Sequence, residues 1–249
     1  MATMLRETWA RAALLGVLLS GDAVAPARAT DCRSTIGGVP ALAAIDAETR
    51  LAFLQGRLDA AARAARIWTG SWAGIYTALA IGSFALVPVV HKHERVDYYF
   101  SGATSVIGLA SLGLSPLRAM RDAPWLRRRV HLDLCSQLAD AERLLVRDAA
   151  SEAECKKLYV HLGNIALNMG SLLVLGFVFR RWEAAALQGV AGTLIGELMI
   201  ATTPSQASDA LEAYRAGTLK SGRPPPRISL VAAPLALPQG AGVAFGGRF

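Results

Sequence analysis

Apolar positions in this chain gather into four long runs, arranged as two close pairs. Ile67–Val90 and Tyr98–Pro116 form the first pair, Leu158–Phe179 and Ala184–Pro204 the second. A membrane-crossing helix needs about 20 mostly apolar residues. The first three runs contain no Asp, Glu, Lys or Arg, and the fourth contains a single carboxylate, Glu197. The pattern predicts an all-α membrane protein with four transmembrane helices, divided as hairpins over 67–116 and 158–204.

The two hairpins echo each other at an interval of 88 residues without a gap. From Ala78 to Pro116, identity recurs at 9 of 39 positions, among them Gly82/Gly170, Ser83/Ser171, Gly108/Gly196 and Pro116/Pro204. Asp46-Ala47-Glu48 ahead of the first hairpin also echoes Asp140-Ala141-Glu142 ahead of the second. These features predict two tandem helix-plus-hairpin units of the same orientation, a parallel repeat.

Outside the hairpins the pattern changes. In the stretch 30–66, Ala47, Leu51, Leu54 and Leu58 fall at helical spacing and predict an amphipathic helix leading into the first span. The segment 117–157 mixes Leu132, Leu138, Leu144 and Leu145 with charges and reads as extramembrane helix. The stretch 205–249 starts with a short polar helix, Gln206–Arg215, and passes through the Pro-rich breaker 221–226. It ends in two β-prone pieces, Arg227–Leu237 and Gly242–Phe249, a short β-hairpin or flexible tail. Residues 1–29 read as a signal peptide, with Arg6 and Arg11 near the start, the apolar run Ala12–Leu19, and Ala27-Arg28-Ala29 as a small-x-small cleavage site.

A composition of 53% apolar residues, with only 18% charged, agrees with the membrane class. Net charge is +7, but the basic residues sit in short juxtamembrane clusters such as Arg127–Arg129, without the aromatic interleaving that stacks bases. The expected partners are the lipid bilayer and either further copies of the chain or a membrane or periplasmic protein, with no nucleic acid. The predicted location is a bacterial-type inner membrane with both termini exported. The distribution of basic residues opposes that orientation, because 19 Lys and Arg would lie outside and 4 inside.

Candidate chemistry is sparse. An ionised carboxylate in a span must find a partner, face a bundle interior or take up a proton. Glu197 stands where the first unit has Leu109. His161, Asn164 and Asn168 share one face of the third span, and Gln188 and Thr193 add polar groups to the fourth. Together Glu197, His161, Asn164, Asn168 and Gln188 predict a polar transmembrane seam. Gly70/Gly74 and Gly192/Gly196 are small pairs at the spacing that permits close helix contact. Trp68, Trp72, Tyr98, Tyr99, Trp125 and Trp182 are read as an interfacial aromatic belt.

Of the three cysteines, Cys135–Cys155 is the expected disulfide and Cys32–Cys135 the alternative. His91, His93 and Glu94 lack a further strong ligand at a metal-binding spacing, so no metal site is assigned. The chain carries no phosphate-cradling glycine loop, His-Glu-x-x-His, Cys-x-x-Cys or nucleophile elbow, and neither an enzyme activity nor a cofactor is predicted. The expected role is structural or interactive, an anchoring or accessory protein. The alternative is a small transporter or channel subunit working through the Glu197 seam.

Overall fold

A computed structural model describes residues 32–37, 40–114, 117–129, 133–219, 229–237 and 240–248. The signal-peptide reading of 1–29 and the Pro-rich breaker at 221–226 lie outside the described residues. Among the described residues, seven helices follow a short N-terminal segment, 32–37, and a helical turn, Pro40–Ala43: α1 Ala47–Leu86, α2 Arg95–Leu114, α3 Ala119–Arg127, α4 Leu134–Glu154, α5 Leu158–Leu173, α6 Trp182–Ala201 and α7 Gln206–Arg215. A single π turn, Val174–Val178, extends α5. The backbone of β1, Ser229–Leu237, runs antiparallel to β2, Gly240–Arg248.

Helix α1 is 40 residues long and serves two environments. Asp46 starts it, its carboxylate accepting from the Thr49 amide at 2.8 Å. The first half buries Ala47, Leu51, Leu54, Leu58, Ala61, Ala62 and Ala65, whereas the second half leaves Ile81 at 64% exposure. The first half packs in one helical core with α3, α4 and α7; the second pairs with α2.

Three stretches of helix, within Arg95–Arg127, Leu134–Val178 and Trp182–Arg215, are long and apolar enough to cross a membrane. In these runs large apolar side chains face outward, as at Leu187, Val190 and Leu194. A soluble fold would bury such a surface. The second half of α1 falls outside that set, since Trp68, Thr69, Ser71, Trp72, Tyr76 and Thr77 lower its hydropathy. Trp72 and Tyr76 are buried against Leu112, and the indoles of Trp68 and Trp72 donate to the Thr202 hydroxyl at 3.3 and 3.2 Å. Trp68 and Trp72 therefore take part in helix packing.

At the opposite ends of the hairpins, Arg181 ahead of α6 donates to both oxygens of Asp97 in the first turn of α2. The Phe100 and Phe179 rings meet edge to face with centroids 5.9 Å apart.

The helical core around the first half of α1 closes on a buried ion pair. Arg50 on α1 donates from Nη2 to Glu142 on α4 at 2.5 Å, from Nε to the Tyr214 hydroxyl on α7 at 2.9 Å, and from Nη1 to the Cys32 carbonyl at 2.9 Å. Tyr214 donates to the same Glu142 oxygen that Arg50 reaches. Ser34 and the amide and hydroxyl of Thr35 complete the carboxylate's shell. Burial alone would raise the Glu142 carboxyl; the bonds from Thr35, Tyr214 and Ser34 outweigh it and hold it below the usual carboxylate value. The echo of Asp46-Ala47-Glu48 in Asp140-Ala141-Glu142 breaks down here. Asp46 caps α1, whereas α4 is capped by Asp133 and Asp140 lies within it.

The disulfide joins Cys32 to Cys135, with their Cα atoms 5.2 Å apart, and Cys155 is free. This corrects the expected Cys135–Cys155 pair. Cys135 lies in the first turn of α4 and Cys155 caps its far end, so the helix holds them about 30 Å apart at 1.5 Å per residue. No bridge can span that distance.

Proteolysis without reduction should release a Cys32–Cys135 peptide and leave Cys155 open to alkylation; a linked Cys135–Cys155 peptide would contradict the arrangement. The bridge closes a loop of 103 residues, so Cys32→Ser should cost roughly 2–5 kcal/mol in denaturant unfolding.

Candidate functional site

Helices α5 and α6 approach through glycine. A Cβ placed on Gly192 would collide with the Asn168 amide oxygen, one on Gly196 with that of Asn164, and one on Gly189 with Leu172. These three positions lie on one face of α6, and that face receives the polar side chains of α5. Gly70 and Gly74, by contrast, have open space around them. Of the two small-residue pairs, only Gly192/Gly196 lies at a close helix contact.

In that contact the seam assembles. His161 Nδ1 lies 2.6 Å from Glu197 Oε2, and Asn164 Nδ2 donates to Glu197 Oε1 and to the Thr193 carbonyl, both at 3.0 Å. Asn168 donates to the Asn164 carbonyl and to its amide oxygen at 2.9 Å. Both Glu197 oxygens therefore have partners. Gln188 stays apart: its amide nitrogen is buried with no hydrogen-bond partner among the described residues. The carboxylate is also closer to a helix end than its place in the apolar run implies, since α6 stops at Ala201 and His161 is in the first turn of α5.

This arrangement gives both carboxylate oxygens a partner and orders two helices. A carboxylate with an imidazole on one oxygen and an amide on the other has lost much of its incentive to seek water. The His161 and Glu197 side chains are each 34% exposed, so the pair is not sealed inside the bundle. Among the described residues no cluster of three or more His, Cys, Asp or Glu side chains is placed to hold a metal ion.

A second set of carboxylates was hidden in the sequence by the amphipathic look of α4. Asp148 is buried, and among the described residues neither of its oxygens has a hydrogen-bond partner. Burial, reinforced by Asp122 beside it, pushes its carboxyl up to about 9. Glu152, one turn on, accepts from the amides of Ala207 and Ser208 at 3.0 and 2.9 Å and so caps the start of α7. The available signal was positional: Glu142, Asp148 and Glu152 fall at helical spacings from Leu138, Ala141 and Leu145, inside the apolar stripe.

No protein-family model, curated protein or solved structure matches the chain.

Replacing His161 by Leu strands the Glu197 carboxylate with one partner, and should cost about 1–3 kcal/mol in unfolding from detergent. The double variant His161→Leu/Glu197→Leu should recover most of that loss; a double variant as unstable as the sum of the singles would show that no such coupling exists. For Asp148, the folded state keeps a proton that the unfolded chain, with its ordinary value of 3.8, has lost. Its contribution to stability therefore falls as pH rises from about 4 to about 9. Asp148→Asn should melt higher than wild type at pH 8, by on the order of 5 °C, with the gain vanishing at pH 4; equal melting at both values would refute the assignment.

Proposed function

We propose that the chain is a four-span membrane anchor that holds a disulfide-bonded helical domain against the surface of a bacterial-type inner membrane. Its role is structural or interactive, and no enzyme activity forms part of this reading. The carrying observation is helix α1, which runs unbroken from the centre of the extramembrane core into the apolar bundle. A domain grown from a spanning helix is positioned by it, where a domain on a flexible linker would not be.

The fourth span in this reading is the second half of α1, supported by its pairing with α2 and by outward-facing Ile81. The Cys32–Cys135 bond supports an exported location for the domain, because disulfides persist in oxidising compartments. That consideration outweighs the adverse distribution of basic residues. Tandem duplication gains support from packing: a Cβ on Gly108 would meet the Tyr76 ring, just as one on Gly196 would meet Asn164. Both members of the first contact lie 88 residues before those of the second.

The second reading, a small transporter or channel subunit, draws on the partial exposure of His161 and Glu197. Anchoring is favoured because both Glu197 oxygens already have protein partners.

An impermeant thiol reagent applied to intact spheroplasts should label an Arg128→Cys variant carrying Cys155→Ser, and the chain reconstituted in liposomes should pass protons no faster than empty liposomes. Labelling confined to inverted vesicles would overturn the orientation. A proton flux that Glu197→Gln abolishes would replace the anchor with the transporter.

A further inference from the structure

Helices α3 and α4 together form a groove of about 510 Å³ on the extramembrane domain. Four guanidinium groups line it: Arg121 on α3, Arg129 just beyond its end, and Arg143 and Arg147 one turn apart on α4. Trp125 forms a wall, and the Arg129 guanidinium lies over its ring at 4.3 Å from the centroid. That contact holds a long side chain in place by cation–π attraction.

Two carboxylates lie among these cations and orient them. Arg147 grips Asp122 with Nε at 2.9 Å and Nη2 at 2.6 Å. Arg143 donates to Asp140, and Arg129 lies 3.9 Å from the same side chain. Each tie occupies part of a guanidinium that carries five N–H donors, leaving others free for a ligand. The Arg121 side chain has no hydrogen bond or ion pair among the described residues, and its whole fork is available.

Four cations against two carboxylates leave the groove electropositive. Asp148, beneath Asp122, adds no negative charge near neutral pH because burial keeps it protonated. Arginine forks on opposing walls suit a tetrahedral oxyanion, whose several oxygens can accept from both sides at once. The volume exceeds that of one ion and accommodates a headgroup-sized body. Helix α3 begins five residues beyond the end of apolar helix α2, which puts the groove within reach of a membrane surface.

We propose that this groove is a binding site for a phosphate oxyanion, supplied either by an anionic lipid headgroup or as free phosphate. The recognition chemistry is the same for both sources.

The test uses the full chain in dodecyl maltoside, a detergent without phosphate. Inorganic phosphate is titrated calorimetrically, and phosphatidylglycerol doped into the micelles is counted per chain by native mass spectrometry. At least one probe should bind saturably. Arg121→Gln, which disturbs no ion pair of the fold, should weaken that binding about tenfold, and Arg143→Lys should weaken it while keeping the charge. Arg128→Gln, an equal charge change at an exposed position outside the groove, should alter it less than twofold. Retention of phosphatidylglycerol that inorganic phosphate fails to displace identifies the headgroup as the source; saturable phosphate binding without lipid retention identifies the free ion. Absence of saturable binding by either probe, or equal weakening by Arg121→Gln and Arg128→Gln, overturns the proposal.

Discussion

Arg50 and Glu142 stand at the centre of the helical domain built from α1, α3, α4 and α7, where removing either charge from water unaided would cost several kcal/mol. The pair survives because the domain closes around it with complete satisfaction. Glu142 accepts from Arg50, Tyr214, Ser34 and Thr35, while Arg50 also donates to Tyr214 and to the Cys32 carbonyl. Those partners come from α1, α4, α7 and the N-terminal segment. Each element must therefore be in place before the charges are tolerable, which makes the network specific as well as stabilising. The disulfide from Cys32 to Cys135 lies beside it and holds the segment that supplies Ser34 and Thr35.

From that centre the physical logic passes outward along α1. The residues that clasp α3, α4 and α7 occupy its first half, and those that meet α2 and α6 its second. A continuous helix transmits orientation over its whole length, so the position of the ion pair and the direction of the apolar bundle are set together. Thr202 reinforces the link from the other side, accepting from Trp68 and Trp72 just before the chain turns into α7. The same α7 brings Tyr214 back to the ion pair.

Much of this was legible in the sequence where periodicity is strong. Uninterrupted apolar runs located the three most hydrophobic helices, and helical spacing placed His161, Asn164 and Asn168 on one face. Two kinds of information were less accessible. The partner of Cys135 depends on how the segment before α1 folds back, although the rigid length of α4 already excluded Cys155. Buried charges sit in polar sequence and look like any others there; Arg50, Glu142 and Asp148 are distinguished only by their phase relative to Leu54, Leu138 and Leu145. Trp68 and Trp72 resemble interfacial anchors in sequence and become packing residues once Thr202 is opposite them.

The two hairpins show how one backbone solution can carry different chemistry. Tyr76 over Gly108 and Asn164 over Gly196 each place a planar side chain where a glycine leaves room. In the first hairpin that side chain is an aromatic ring, whose hydroxyl reaches the Met199 sulfur at 3.6 Å. In the second it is an amide, and an amide at this depth needs partners that an apolar neighbour cannot supply. Glu197, standing where the first hairpin has Leu109, supplies one, and His161 then partners the second oxygen that Glu197 brings. The polar seam follows from this single exchange of chemistry at a close contact. Its residues depend on one another, and the seam stands on helix packing whether or not anything crosses the membrane through it.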